Sequence, residues 1–591
     1  MKLSEFVFQF LESKGVDSVF TVSGGGAIHL CDSLGRSNKI KYYCCHHEQA
    51  VSMAAEGYAR TAGRPGVCLV TSGPGGTNTI TGAACAWADS IPQIIISGQV
   101  YLNQTIGNSG LRQLGVQESN IIDLVKPITK YAVMVRDPQD ILKHLEAAWR
   151  LATTGRPGPV WLDIPGNIQS AEIDPDLLAH EEEPLFENRQ ESLRSQISVI
   201  SNWLKEAQRP ILHVGHGVRI AKAMGLLSEL LDLYPLPVLT TWNATDVIDS
   251  SHPCFVGRPG AFAERGANFA VQNSDLYISI GTRLPFMVTG YNSKDFAREA
   301  KRVMIDIDPR ELNKDSLDIH LKIEADAGEF LKLFKDQLPP KEMLNPEWLG
   351  KCQNLRKVYP VVQASYKKQE KWVNSYYFTQ LLSEVLGPDD AIMTDMGLSF
   401  VGTHQAFQVK EGQVICTNSG HAPMGWGLPA TIGSCVAREG RRTVCISGEG
   451  GMMMNIQELS TAMHHHMNIK IFIYNNGGYL TIKQTQQLGF EGRLMGADYE
   501  SGLSFPSFKH IAEANSFKYT RFSDNKEVEQ GLDSFVNSDG PGICEIMVDP
   551  EQPQIPKAIS VKEVDGEKKA PVFEDLYPFL NQEEFDQISL K

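Results

Sequence analysis

The stretch RTVCISGEGGMMMNIQELSTAMHHHMNIKIFIYNNGG, Arg442–Gly478, decides how the C-terminal third of the chain folds. Thr443–Ser447 is a short apolar run that predicts a strand, Asn455–His465 predicts a helix, and Ile469–Tyr474 predicts the next strand. A right-handed crossover makes the two strands parallel, with their carboxyl ends on one sheet edge. Glu449 and Asn476 then lie just past those ends, where open α/β sheets bind ligands. A carboxylate, an amide oxygen and a backbone carbonyl are the hard donors that Mg²⁺ takes, with phosphate oxygens completing its shell. Gly448, Gly450 and Gly451 let backbone N–H groups approach those phosphates. The plainer alternative is a glycine-rich turn in an ordinary βαβ unit, but here the spacing and the doubled asparagine occur together. The run His464-His465-His466 does not supply a metal site. Successive helical side chains point about 100° apart, so three adjacent histidines cannot converge on one ion. They read as surface or helix-end residues.

Working outward, the 591-residue chain suits an α/β protein of three domains. A first block runs to Ile173 and closes with GRPGPVWLDIP, a turn followed by a buried strand. An acidic stretch from His180, HEEEPLFENRQE, reads as a linker. A second block, residues 192–338, carries the apolar runs PILHVG, DLYISIG and RVMIDID, separated by helices. A third block, residues 355–550, adds AIMTD, VCISG, KIFIYN and ICEIMVD, and residues 551–591 read as an arm. Such runs are the mark of doubly wound parallel sheets covered on both faces, and the first and third blocks share a layout. The formal net charge of −15 argues against a nucleic-acid partner. No apolar run of about 18 residues is present, which argues against a membrane span. Leu3, Phe6, Val7, Phe10 and Leu11 are spaced for an amphipathic helix rather than a signal peptide, since Glu5 and Glu12 interrupt them. The eleven cysteines form no CxxC pair and read as reduced thiols of a cytoplasmic protein.

The Gly448-Glu449-Gly450 and Asn475-Asn476 pair resembles the thiamine-diphosphate signature, G-D-G followed at a fixed interval by N-N. The departure is Glu449 in place of the usual aspartate, an extra methylene that moves the carboxylate by roughly 1.5 Å. The resemblance implies Mg²⁺ held by Glu449, Asn476 and the carbonyl of Gly478. It implies further that a glutamate contacts the aminopyrimidine ring of the cofactor and handles the C2 proton. In CCHHEQAVSMAAEGYAR that place falls to Glu48, whose helix carries Ala50, Val51, Ala54 and Ala55 on its apolar side. A carboxyl among apolar neighbours favours its neutral form and is suited to sharing a proton. Without the resemblance Glu48 is simply a helix N-terminal carboxylate stabilised by the dipole, and Glu56 falls at a structural position. Thr71 and Gly73, in TSGPGGTN, match the turn beside the pyrimidine. In GHAPMGWGLPATIG, Met424 takes the place that wedges between the two cofactor rings, and the Ala422 carbonyl the place that accepts from the 4′-amino group. Glu48 and the metal loops lie in different blocks, which the family draws from different subunits. The resemblance therefore implies a homodimer or homotetramer.

Across nearly the whole chain the resemblance is to acetolactate synthase-like enzymes, including Gln117-Glu118 and the closing DPEQPQIPKA. Gln117 takes a catalytic place. That branch commonly binds FAD in its middle domain. Arg156, Gly215, Gly217, Gly281, Thr282, Arg283, Asp306 and Asp326 match flavin positions, though a VGHGV turn serves any strand-to-helix connection. Departures cluster where the acceptor belongs. R-F-D-D-R-V-T-G is RLPFMVTG here, putting Met287 where an arginine faces the second keto acid. Thr485 replaces a tryptophan, and Val116 an aromatic residue. Losing a guanidinium removes a charge-assisted carboxylate contact, and losing two aromatics leaves room. The expectation is a carboligase that decarboxylates pyruvate and passes two carbons to a bulkier carbonyl, such as a nucleotide-linked keto-deoxysugar. The alternatives are an acetolactate synthase, a 2-keto acid decarboxylase, or a non-catalytic member.

Overall fold

Every apolar run quoted above becomes a strand parallel to its neighbours in the computed structural model, which describes residues 1–181, 190–559, 562–564, 567–569 and 571–589. Most of the acidic linker that begins at His180 lies outside the described residues. The N-terminal sheet comprises β1 (Ser18–Thr21), β2 (Lys41–Cys44), β3 (Gly66–Val70), β4 (Gln93–Gln99), β5 (Tyr131–Met134) and β6 (Pro159–Pro165), in the spatial order 2-1-3-4-6-5. The central sheet comprises β7 (Pro210–Val214), β8 (Val238–Thr240), β9 (Leu276–Ile280), β10 (Lys301–Asp306) and β11 (Leu321–Glu324), ordered 11-10-9-7-8. The C-terminal sheet comprises β12 (Ala391–Thr394), β13 (Val414–Cys416), β14 (Thr443–Gly448), β15 (Ile469–Asn475), β16 (Lys518–Phe522) and β17 (Gly542–Met547), ordered 13-12-14-15-17-16. Counted from its own first strand, that order repeats the N-terminal sheet. The shared layout read from sequence is a shared topology.

Helices cover both faces of these sheets, as continuous apolar strands require. The N-terminal helix Leu3–Ser13 buries Leu3, Val7, Phe8, Phe10 and Leu11. The helix Pro346–Val358 buries Trp348 and Cys352 in the core of the central domain. The boundary expected at residue 355 therefore falls inside a helix of that domain. The arm doubles back over the central domain too: Asn268 donates to the Phe573 carbonyl at 2.9 Å, and Arg298 pairs with Glu574 at 2.7 Å.

The N- and C-terminal domains of the chain meet through the helices Glu48–Ala62 and Gly427–Ala437. Glycine permits this approach. A Cβ on Gly57 would sit 2.3 Å from the Ala430 carbonyl oxygen, and one on Gly433 would sit 1.8 Å from that of Ala54. Any side chain there would push the two domains apart.

Candidate active site

Gly448 ends β14, and Glu449 opens the helix Glu449–Met454 with no loop between them. The helix expected over Asn455–His465 is the shorter Glu458–His464, and a further helix, Glu449–Met454, precedes it. Asn455 makes the break, its side chain donating to the Gly425 carbonyl at 2.7 Å. Glycine's poor helix propensity hides the first of these helices from a sequence reading. Tertiary crowding explains the glycines: a Cβ on Gly450 would meet the Tyr479 ring at 2.0 Å, and one on Gly451 would meet Asp395 Oδ2 at 2.5 Å.

The Glu449 carboxylate is buried and crosses to the loop after β15. It accepts from the Asn476 N–H at 3.1 and 3.3 Å and from the Gly478 N–H at 2.8 Å. The extra methylene that distinguishes glutamate from aspartate spans that gap. Burial pushes the carboxyl up to about 7, opposed by the backbone N–H groups around it. The Asn476 side chain is half-buried and makes no hydrogen bond among the described residues. Gly478 packs so closely that a Cβ would lie 2.1 Å from the Ala497 carbonyl oxygen. A nested carboxylate, a free amide and a glycine cradle fit a metal-bound diphosphate.

Asp395, which sequence reading missed, ties this loop to the Met424 turn. Its buried carboxylate accepts from the Gly425 N–H at 2.9 and 3.1 Å and from the Ser447 hydroxyl at 2.9 Å. Burial raises it to about 6. Its signal was an acidic residue at the carboxyl end of β12, on the ligand-binding edge of a parallel sheet. Ala422 takes a left-handed conformation, φ 58°, which costs an ordinary residue about 1–2 kcal/mol. Asn418 holds that turn, accepting from His421 and Ala422 N–H at 3.2 and 3.3 Å while donating to Glu56 at 2.8 Å. Glu56 is structural in a definite sense: it also receives the Trp426 indole N–H at 2.8 Å and pairs with Arg60 at 2.7 Å.

Glu48 begins its helix behind the cap of His47, whose ring accepts from the Gln49 N–H at 3.1 Å. The apolar side of the helix is buried as expected, and the Glu48 carboxylate is half-buried and accepts from Asn78 Nδ2 at 2.9 Å. Around it lie Thr71, which accepts from the Gly26 N–H at 3.0 Å, and Gly73, φ 59°. Gln117, also left-handed at φ 64°, lies over that turn: a Cβ on Gly73 would be 2.6 Å from its carbonyl oxygen. Among the described residues Glu48 makes no hydrogen bond with Glu449, Asn476 or Met424.

A cavity of about 370 Å³ lies against the central sheet, lined by Arg156, Gly281, Thr282, Arg283, Asp306 and Asp326. Gly217 and Met287 also line it, whereas Gly215 stands behind, where a Cβ would be 2.3 Å from the Gly281 carbonyl oxygen. Arg156 is engaged by Asp308 at 3.1 Å and Glu311 at 3.0 Å, and Asp326 caps the helix Ala327–Lys335. The three expected acceptor residues are not together. Met287 faces this cavity, while Val116 and Thr485 are exposed on other domains.

Comparison with known proteins agrees with this three-domain fold. Family models described as thiamine pyrophosphate enzyme match in three parts: the N-terminal TPP binding domain over residues 1–120, the central domain over 197–334, and the C-terminal TPP binding domain over 395–546. The chain is 32% identical over 573 residues to the acetolactate synthase isozyme 1 large subunit of Escherichia coli, covering 95% of this chain and 97% of that one. Isozyme 2 of the same organism is 33% identical over 551 residues, covering 93% and 96%. The probable acetolactate synthase large subunit of Methanocaldococcus jannaschii is 33% identical over 569 residues, covering 94% of each chain. No described helix is long and apolar enough to cross a membrane.

Proposed function

The chain belongs to the acetolactate synthase-like family of thiamine pyrophosphate enzymes, and from that premise we propose that it is a carboligase that decarboxylates a 2-keto acid, pyruvate being the simplest. The observation that carries this is the nesting of Glu449 in the Asn476–Gly478 loop beside the Met424 turn. Thiamine diphosphate bound there supplies an acidic C2–H whose loss creates a nucleophile for keto carbonyls, together with an electron sink for decarboxylation.

The protein's own contribution is holding and proton handling. Glu449, Asn476 and the Gly478 carbonyl would hold Mg²⁺, with Gly448, Gly450 and Gly451 admitting the diphosphate. Met424 would separate the cofactor rings. The strained Ala422 would aim its carbonyl at the 4′-amino group, which is a reason to tolerate φ 58° there. Glu48 would exchange a proton with the pyrimidine, steadied by Asn78, while Gln117 flanks the substrate. The family resemblance, which draws Glu48 and the metal loop of one site from different subunits, supports a homodimer or a larger homo-oligomer as the working unit. The apolar residues Val116, 88% exposed, and Met495, 82% exposed, suit burial against a second copy. We propose FAD for the central cavity, a reading supported by Arg156, Gly281, Thr282, Arg283, Asp306 and Asp326 among its lining; flavin absorbance of the purified protein tests this.

Among acceptors, a second 2-keto acid has the support of the acetolactate synthase relatives. A second reading, transfer to a bulkier carbonyl such as a nucleotide-linked keto-deoxysugar, is favoured by Met287 on the cavity wall in place of a cation. Incubation with pyruvate alone decides between them. Acetolactate formed at the rate of a dedicated synthase removes the sugar reading. Product that appears by mass spectrometry only when a keto-sugar is added removes the first.

A further inference from the structure

Glu458 has no place in the chemistry above, yet it is a fully buried carboxylate that reaches across the domain boundary. It opens the helix Glu458–His464, and its oxygens lie 3.0 and 3.3 Å from the backbone nitrogen of His46, which donates to them. The Thr461 hydroxyl stands 2.8 Å from Glu458 Oε2 and 3.2 Å from the Cys44 carbonyl oxygen. One turn further on, the His465 ring packs on Tyr43 with centroids 4.8 Å apart. The segment Tyr43–His46 is thus gripped by one short helix of the C-terminal domain. Two residues later Glu48 begins, with only the cap of His47 between.

We propose that Glu458 is a positioning residue for Glu48, fixing the height of its carboxylate through the His46 N–H. The inference rests on Glu48 serving the cofactor as argued above. The physical case is simple. β2 is an edge strand, paired on one side only with β1, and past the Cys45 N–H, which donates to the Thr21 carbonyl at 2.9 Å, the backbone makes no further ladder bond among the described residues. A buried carboxylate accepting a backbone N–H is a strong tether, and an unmet N–H would loosen the turn. A shift of about 1 Å at a reacting group costs on the order of 100-fold in rate. The helix carrying Glu458 follows directly on the one that begins with Glu449, and Asn455 between them is tied to the Met424 turn. The same short segment therefore sets both the metal carboxylate and the placement of Glu48.

The test uses the full-length protein with Glu458→Met, which keeps the volume but loses the acceptor, and Glu458→Gln, which keeps an acceptor oxygen. Amide hydrogen exchange, read without cofactor, should rise at least 10-fold in residues 44–50 of E458M and stay near wild type in E458Q. With thiamine diphosphate and Mg²⁺ bound, exchange of the cofactor C2 proton, followed by NMR, should slow at least 10-fold in E458M. Cofactor affinity should stay within 3-fold. Unchanged C2 exchange in E458M, or unchanged amide exchange in residues 44–50, overturns the proposal. Parallel loss of cofactor affinity and fold in both variants also overturns it, as a structural role only. If E458M does not fold, Thr461→Val stands in, with about 3-fold effects expected of the same sign and their absence decisive. Failure of the wild type to take up thiamine diphosphate sinks the function proposed above, and the amide exchange still decides whether Glu458 anchors the turn.

Discussion

At Glu449 the length of one side chain decides the geometry. Its carboxylate reaches the N–H groups of Asn476 and Gly478 because glutamate has one more methylene than the aspartate of the usual signature. Glu449→Asp should therefore weaken Mg²⁺ retention about 10–100-fold, the usual scale for displaced ligands, measured by equilibrium dialysis. Equal or tighter binding would show that the loop adapts to the shorter residue. Gly450 makes a second test. An alanine Cβ there meets the Tyr479 ring at 2.0 Å, so Gly450→Ala should destabilise the protein by about 1–3 kcal/mol in urea unfolding. The double variant with Tyr479→Ala should recover part of that loss, and no recovery would sink the steric account.

At the scale of elements, the turn around Met424 is held from three sides, by Asp395, Asn418 and Asn455. Asp395 gives this arrangement a pH signature. Its carboxyl is raised from an ordinary 3.8 to about 6 by burial. The folded state then binds its proton more tightly than the unfolded chain does. Its contribution is fully present below about pH 4 and is lost as pH rises through about 6. Asp395→Asn lacks this term, so its stability relative to wild type should improve between pH 4 and pH 7; urea midpoints across that range check it. These ties also explain what sequence reading could and could not find. The strands were legible because each is a continuous apolar run, and the Glu449–Asn476 pair because its spacing follows from two adjacent parallel strands. Asp395 was missed although its place at the end of β12 was a signal, whereas Asn418 and Glu458 carried none. Each of those two is an ordinary polar residue locally, and the partner of Glu458 lies 412 positions away. The late start of the helix at Glu458 escaped for the same reason, since the bond from Asn455 to the Gly425 carbonyl spans 30 positions.

At the scale of the molecule, two six-stranded sheets of one topology precede and follow a five-stranded one along the chain, and a glycine-lined helix contact joins the first domain to the third. Gly433→Leu should prevent that contact, with loss of cooperative unfolding in a calorimetric scan; a normal transition would mean that the domains dock by other means. The proposed pairing of Glu48 with the metal loop of a second copy reaches further, into how defects are inherited. A chain bearing Glu48→Gln and a chain bearing Glu449→Ala would each be dead alone. Expressed together they can pair, and one of the two sites in such a hybrid then contains only intact residues. Random pairing of symmetric dimers should restore roughly a quarter of the wild-type activity. Two null alleles of this gene would thus complement one another, and either one mixed equally with wild type would leave about half of the activity, no less than gene dosage alone.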